Sequence, residues 1–313
     1  MNAIVLAAGL GTRMRPLSER LPKPLLPVAG VPLLARIIGG LGAARRVVVN
    51  THHLPERIAV FTEGLAEKER VLLSHEPEIL GSGGALVKAR AVLAEDDIFI
   101  YHNADELTDF AVARAVSAHR GAGSPLATLV VQDSGPENKV LVSAQGEVLD
   151  IAGRRGVAPP AGSRLRAFIG IAVMSRRLFE LLPQRERFCS VMEALLKGIS
   201  AAPGCVCACA ADGAYWRNIE DVGRYLDVHR EILSEGLLRF PEVPRGPVQV
   251  CAGAEVDPGA ELSGFVSVCR GARIEAGARL RDCVVLDGAH IGAGAVYAAA
   301  VVGDGFACRG DRA

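Results

Sequence analysis

Residues 2–27 read NAIVLAAGLGTRMRPLSERLPKPLLP. The apolar run 2–8 has the length of a buried strand, and glycines at 9 and 11 end it. Glycine lets a backbone approach a ligand without a side chain in the way. Backbone N–H groups in a loop after a strand can face phosphate oxygens. Arg13, Arg15 and Lys23 add three cations, more charge than a structural turn needs. Two common phosphate motifs fail on spacing. Met14 stands where G-x-G-x-x-G needs its third glycine, and no lysine follows the glycines as a P-loop requires.

Outward from this loop, strands alternate with helices. RRVVVNT (45–51), VLLSHEP (71–77), DIFIYHNADEL (97–107) and LATLVVQD (126–133) read as strands. VPLLARIIGGLGA (31–43), the loop and helix GSGGALVKARAVL, and FAVARAVSAHRGAG (110–123) lie between them. This order predicts an α/β domain with a largely parallel sheet. Ligands of such sheets bind beyond the carboxyl ends of the strands. The basic loop and the acidic tip of 97–107 both lie there. A hairpin over 138–153 turns at Ala144-Gln145-Gly146, and LRAFIGIAVMS (165–175) is a further buried strand. RLFELLP and SVMEALLKGIS read as helices, and YLDVHREILSEGLL (225–238) as the closing helix. The domain is placed at 1–239, with a Pro/Gly-rich linker at 240–248.

Beyond the linker the period changes. Val250, Val256, Leu262, Val268, Ile274 and Leu280 recur every six residues, and the rhythm resumes after a one-residue slip at Val285 and Ile291. Glycines at 253, 259, 271, 277, 288 and 294 accompany them. A hexad with glycine turns predicts a left-handed parallel β-helix over 249–313, of about three coils. His290 reads as a solvated turn residue, although a histidine can serve as a general base for acyl transfer.

The 313 residues carry no net charge, which excludes a broad nucleic-acid surface; an anionic ligand must be met by a local basic site. The N-terminus shows no signal-peptide pattern and no run approaches ~18 apolar residues, so neither a membrane span nor a membrane partner is expected and the chain is placed in the cytoplasm. Of eight cysteines, those of CVCAC (205–209) are two apart and no C-x-x-C exists. They read as small buried thiols on one strand face.

GLGTRMRP followed by PKPLLPV resembles the signature of the sugar-1-phosphate nucleotidyltransferases, the NDP-sugar pyrophosphorylases. The resemblance covers 1–238 and extends to the β-helix tail. It implies a Rossmann-like domain that joins an NTP to a sugar 1-phosphate with Mg²⁺ and releases pyrophosphate. The texture of 76–89, EPEILGSGGALVKA, is similar to guanylyltransferases of the GDP-mannose type, with uridylyl or thymidylyl transfer left open. The resemblance gives Arg13 and Lys23 the catalytic roles, on the triphosphate and the sugar phosphate. It assigns the nucleotide to Leu6, Ala7, Ala8, Gly9, Gly11 and Thr12, with Glu76 and Gly81 on the base edge and Gly83 and Gly84 allowing close approach. Gly170 matches a sugar contact, with Phe168 and Ile169 read as core. Asp105 matches a metal ligand, although Ala104 replaces the usual glycine. Asn218 stands where the family's W-x-D-[IV]-G-T has its second carboxylate, and Glu220 and Asp221 replace Gly-Thr. These departures leave open a second reading, a sugar-nucleotide-binding regulatory subunit. A homo-oligomer is expected, joined through the open end of the β-helix.

Overall fold

In the computed structural model the strand Asn2–Leu6 pairs in parallel with Val47–Thr51 on one side and Ile98–Asn103 on the other. All three are buried and mostly apolar, as strands covered on both faces are, with Asn2, Asn50, Thr51 and His102 as buried polar exceptions. Val71–His75 extends the parallel set beyond Val47–Thr51. The structure describes residues 1–135, 139–238, 240–241, 243 and 245–310. Residue 138 of the expected hairpin, 239 of the expected first domain, 242 and 244 of the linker and 311–313 of the tail lie outside the described residues.

The chain forms two compact units, one of Met1–Leu10 and Ile37–Trp216, the other of Gly11–Arg36 and the residues from Arg217 onward. The first holds a nine-stranded sheet. Its strands around Asn2–Leu6 are parallel, as the alternation of strands and helices predicts. Arg164–Ser175 runs antiparallel to both Ile98–Asn103 and Ala127–Gln132, and Val206–Ala210 is parallel to the latter. The hairpin Val140–Val142 and Val148–Ile151 turns through Gly146, whose φ of 86° suits glycine. The helix Val191–Ala201 buries Val191, Leu195 and Ile199 against the sheet core, and Ser190 caps it by accepting from the Met192 amide. Each such side chain contributes ~1.5–3 kcal/mol by leaving water.

In the first unit three details differ from expectation. The expected strand 97–107 is broken at Ala104-Asp105 into Ile98–Asn103 and Glu106–Thr108. RLFELLP is a short 3-10 turn, Arg176–Glu180. Cys205, Cys207 and Cys209 are only half-buried, because Val206–Ala210 lies on an edge of the sheet.

In the second unit, Val248–Val250, Glu261–Val268, Arg279–Val285 and Val296–Gly303 stack in parallel, and Glu255–Val256, Arg273–Ile274 and His290–Ile291 form a second parallel sheet. Val268, Ile274, Leu280, Val285 and Ile291 fill the common interior. The slip read in the hexads appears as a change of register: Glu255 pairs with Arg273, and Arg273 with His290. Phe306–Arg309 pairs antiparallel with the last long strand and covers that edge of its sheet. The helix Val222–Leu233 packs along these strands. It starts earlier than expected because Asp221 caps it, accepting from the Arg224 amide at 2.7 Å.

The same helix clamps the turn between Pro27–Val28 and Val31–Pro32. Tyr225 Oη donates to the Pro27 carbonyl. The Ala29 amide donates to His229 Nε2 at 3.2 Å, which leaves Nδ1–H to donate to the Tyr225 carbonyl at 2.9 Å. Gln249 Nε2 donates to the Ala29 carbonyl. Ala29 at φ 47° and Gly30 at φ 77° are thereby held in the left-handed region. Burial keeps the His229 imidazole neutral, with its pKa pushed down to about 4. Unfolding frees it to bind a proton near pH ~6.5, so the unfolded state gains protons as pH falls from ~6.5 to ~4. Stability should therefore drop through that window, by up to ~1.4 kcal/mol per pH unit from this residue. Urea midpoints across pH should show a shallower slope for His229→Gln than for the wild type; equal slopes refute the assignment.

Candidate active site

The residues singled out from sequence divide between the units. Leu6, Ala7, Ala8, Gly9, Glu76, Gly81, Gly83, Gly84, Asp105 and Gly170 belong to the first, and Gly11, Thr12, Arg13, Lys23 and Asn218 to the second.

In the first unit the carboxyl end of the central strand is pinned from both sides. The Ala7 amide donates to Asn50 Oδ1 at 2.6 Å, and the Leu6 carbonyl accepts from the Ala104 amide at 3.0 Å. Ala7 and Ala8 are buried and Gly9 emerges, with open space where a Cβ would project. That bare backbone is what close approach by a phosphate requires.

Glu76 is fully buried. Its Oε1 accepts from Asn50 Nδ2 at 2.8 Å and its Oε2 from the Leu80 amide at 2.9 Å. The carboxylate expected to read a base edge is thus engaged within the protein and holds the 76–80 loop. The glycines that follow are also engaged. A Cβ on Gly81 would lie 2.7 Å from the Cys189 carbonyl oxygen, and one on Gly84 would clash with that of Arg187. Gly83 and Gly84 are buried, and Gly83 donates its amide to the Cys189 carbonyl. The segment 187–190 fills the space a Cβ would take at these two glycines, because the start of the helix Gly81–Lys88 packs directly on that chain.

Asp105 is half-buried in the turn that follows Ile98–Asn103. Ala104 beside it is buried. Burial pushes the His102 pKa down to about 4 and raises that of Tyr101, to which the Asp105 and Glu106 charges add. Glu106, which sequence analysis passed over, is 4% exposed and accepts from the Trp216 indole at 2.8 Å. Gly170, at φ 75°, sits against it: a Cβ there would clash with Glu106 Cγ. Gly170 therefore makes room for a carboxylate. Ile169 is core, and Phe168 packs on Tyr101.

In the second unit Gly11, at φ 60°, leads into the 3-10 turn Thr12–Met14. Met14 is buried and anchors the turn, so Arg13 projects outward, with 64% of its side chain exposed. Its guanidinium pairs with Glu220. Arg15 lies 3.5 Å from Glu19. Lys23 opens the next 3-10 turn, whose Pro24 and Leu25 are buried. Asn218 follows Arg217, which pairs with Glu231 at 3.0 Å. Asp221 is occupied as the helix cap. His290 contacts Glu275 across neighbouring strands at 2.8 Å, and the hydrogen bond from His290 lowers the Glu275 pKa.

Asn50 and Glu106 are partners that sequence analysis missed, and Glu220, noted there as a departure from the family pattern, proves to be the mate of Arg13. Asn50 carries a faint signal, a polar residue closing the apolar run VVVNT.

A sheet parallel around its central strand, with a glycine loop leaving that strand and an acidic turn beside it, defines an α/β protein whose candidate ligand site lies at the carboxyl ends of these strands. Residues 2–145 match the family model described as nucleotidyl transferase. The chain is 31% identical over 303 residues to a mannose-1-phosphate guanylyltransferase of Mycobacterium tuberculosis, covering 95% of this chain and 82% of that protein. It is 33% identical over 162 residues to a UTP–glucose-1-phosphate uridylyltransferase of Synechocystis, covering 48% of this chain and 41% of that protein. The fold is similar to that of HddC from Yersinia pseudotuberculosis, solved with GMP-PN, at TM-score 0.59 and 21% identity, over 74% of this chain and 99% of that one. The chain belongs to the sugar-1-phosphate nucleotidyltransferase family. Among the described residues no helix is long and apolar enough to cross a membrane.

Gly170→Ala should test the packing of Glu106. It adds left-handed strain of ~1–2 kcal/mol and overpacking of ~1–3 kcal/mol. A loss of ~2–5 kcal/mol in unfolding free energy is expected. A variant as stable as the wild type would show that Glu106 does not occupy this space.

Proposed function

We propose that this chain transfers a nucleotidyl group from an NTP to a sugar 1-phosphate, with guanylyl transfer to mannose 1-phosphate as the leading pair. The observation that carries the reading is the similarity, over 95% of the chain, to the Mycobacterium tuberculosis mannose-1-phosphate guanylyltransferase. In the reaction a phosphate oxygen of the sugar phosphate forms a bond to the α-phosphorus. The bond from that phosphorus to the bridging oxygen breaks, and pyrophosphate leaves with the electron pair. Two polyanions must meet, so catalysis is chiefly alignment and charge neutralisation.

In this reading the bare backbone at Gly9, with Leu6, Ala7, Ala8, Gly11 and Thr12, cradles the nucleotide. Arg13 braces the triphosphate and steadies the leaving pyrophosphate. Lys23 holds the sugar phosphate. Gly81, Gly83 and Gly84 shape the helix start on the nucleotide side, and Gly170 lies on the sugar side. Asp105 and Asn218 each offer a hard oxygen donor, which suits Mg²⁺, an ion that takes one or two protein oxygens together with phosphates. Among the described residues no group of three or more His, Cys, Asp or Glu side chains could hold a metal. Phosphate oxygens would therefore complete the coordination. When bound, the ion supplies neutralisation of phosphate charge.

As functional parts we retain a nucleotidyltransferase domain at 1–239, a connector at 240–248 and a left-handed β-helix at 249–313, supported by the parallel stacking of its strands. The expected homo-oligomer, joined through the tail, is retained as part of the reading. Eight free cysteines support a reducing compartment, the cytoplasm.

Pyrophosphate release with Mg²⁺, each NTP and a panel of sugar 1-phosphates tests the reading. Nucleotide binding without release from any pair would favour the regulatory subunit instead. Arg13→Ala should lower kcat by ~10²–10³ with the fold intact. Asn218→Asp should raise turnover at limiting Mg²⁺, by restoring a charged ligand. The Arg13–Glu220 pair is exposed, and such pairs contribute ~0–1 kcal/mol. Glu220→Gln should thus tighten the apparent NTP affinity by no more than ~5-fold. Weaker NTP binding in this variant would mean that Glu220 presents Arg13 to the phosphates and does not compete with them.

A further inference from the structure

Two segments of the first unit assigned to the nucleotide, 6–9 and 76–89, are joined by a buried hydrogen-bonded relay. It runs from the Ala7 amide to Asn50 Oδ1, from Asn50 Nδ2 to Glu76 Oε1, and from Glu76 Oε2 to the Leu80 amide. Asn50 is 4% exposed and Glu76 0%. The direction of every bond is forced. A backbone amide can only donate, so the Asn50 oxygen must face Ala7 and its NH₂ must face Glu76. Glu76 accepts from both sides. The ends of the relay are the turn where the central strand leaves the sheet and the residue just before the helix Gly81–Lys88. The loop is held further by the Glu76 amide on the Thr51 carbonyl and by the contact of His52 Nδ1 with the Glu76 carbonyl.

We propose that Asn50 and Glu76 are a positioning pair for the nucleotide: they fix the chain at Ala7–Gly9 and at Leu80–Gly81 in one orientation and touch no substrate themselves. The proposal rests on the nucleotidyl-transfer reading above. It gives Glu76 a role behind the site in place of contact with the base. It adds Asn50, which no motif indicated. Neither end of the relay includes the sugar-side residue Gly170, so the pair governs nucleotide binding and leaves sugar-phosphate binding alone.

The polarity of the relay supplies a directional test in the full-length protein. Asn50→Asp places an acceptor against the Glu76 oxygen. Glu76→Gln places a donor against the Asn50 NH₂, and flipping Asn50 to suit it would oppose the Ala7 amide. The double variant, Asn50→Asp with Glu76→Gln, restores every bond. The carboxylate introduced at position 50 then accepts from the Ala7 amide and from the side-chain NH₂ introduced at position 76. The amide oxygen at position 76 accepts from the Leu80 amide.

The readouts are calorimetric dissociation constants for GTP and UTP, KM for mannose 1-phosphate, and amide exchange at Ala7 and Leu80 without ligand. Each single variant should weaken the preferred NTP by ~10-fold and hasten exchange at the two amides, with KM for the sugar phosphate within ~2-fold of wild type. The double variant should recover NTP affinity to within ~3-fold and restore slow exchange. A double variant no better than the worse single overturns the proposal. So does equal weakening toward NTP and sugar phosphate, which marks a purely structural pair. A wild type that binds no nucleotide fails the function reading; recovered exchange in the double variant would still support the relay as the device that holds these two amides.

Discussion

The end of the central strand sets a constraint that the rest of the first unit obeys. Leu6 and Ala7 leave a sheet in which they are buried or nearly so, and their peptide groups cannot be left without partners. The Leu6 carbonyl finds the Ala104 amide, and the Ala7 amide finds the Asn50 side chain. These two bonds tie the glycine loop to the turn bearing Asp105 on one side and to the strand Val47–Thr51 on the other. Through Asn50 the tie continues to Glu76 and the helix beginning at Gly81. The loop therefore inherits the rigidity of a buried parallel sheet, and a bare backbone at Gly9 can be held in place without side chains of its own.

The second unit depends on a different device, a helix laid along stacked parallel strands. Val222–Leu233 offers Tyr225 and His229 to the turn at Pro27–Val31, and Gln249 on the first long strand of the stack meets the same turn. Residues 11–36 are thereby packed with the C-terminal strands, although sequence groups them with the strand they follow. Arg13 gains an outward direction from this arrangement, because Met14 beside it is buried. Its exposed pair with Glu220 is the kind of contact that solvent and salt weaken, and a polyanion can readily replace it. In this respect Glu220, one of the two residues standing where the family has Gly-Thr, is the mate of the cation, while Asp221 is a helix cap.

Much of this was readable from residues alone. The runs at 2–8, 45–51 and 71–77 became adjacent parallel strands, and the first two are buried, while Val71–His75 lies at the edge of the set with Leu72 and Leu73 exposed. The hexads became stacked strands, and even their one-residue slip survives as a change of register. The family followed from GLGTRMRP and PKPLLPV, a spacing too long and specific for a generic turn. What escaped sequence analysis was the choice of partner. Glycines at 83 and 84 promise close approach by something, and only the folded chain shows that residues 187–190 take that place. Gly170 is likewise explained by a carboxylate 64 positions earlier in the chain, a distance over which no local pattern operates.

The sequence by itself determined most of the strands, the glycine loop that leaves the first of them, and where the cations and the acid of the candidate site lie along the chain. Those features depend on local composition and short spacing, which a chain states directly. The tertiary structure alone decided that Glu76 turns inward, that Asn50 holds the first turn, that Glu106 stands over Gly170 and that Glu220 faces Arg13. Each of these is a hydrogen bond, an ion pair or a close packing between residues far apart in the chain. Such a pairing is settled only when the sheet brings the buried polar groups together and each must be satisfied.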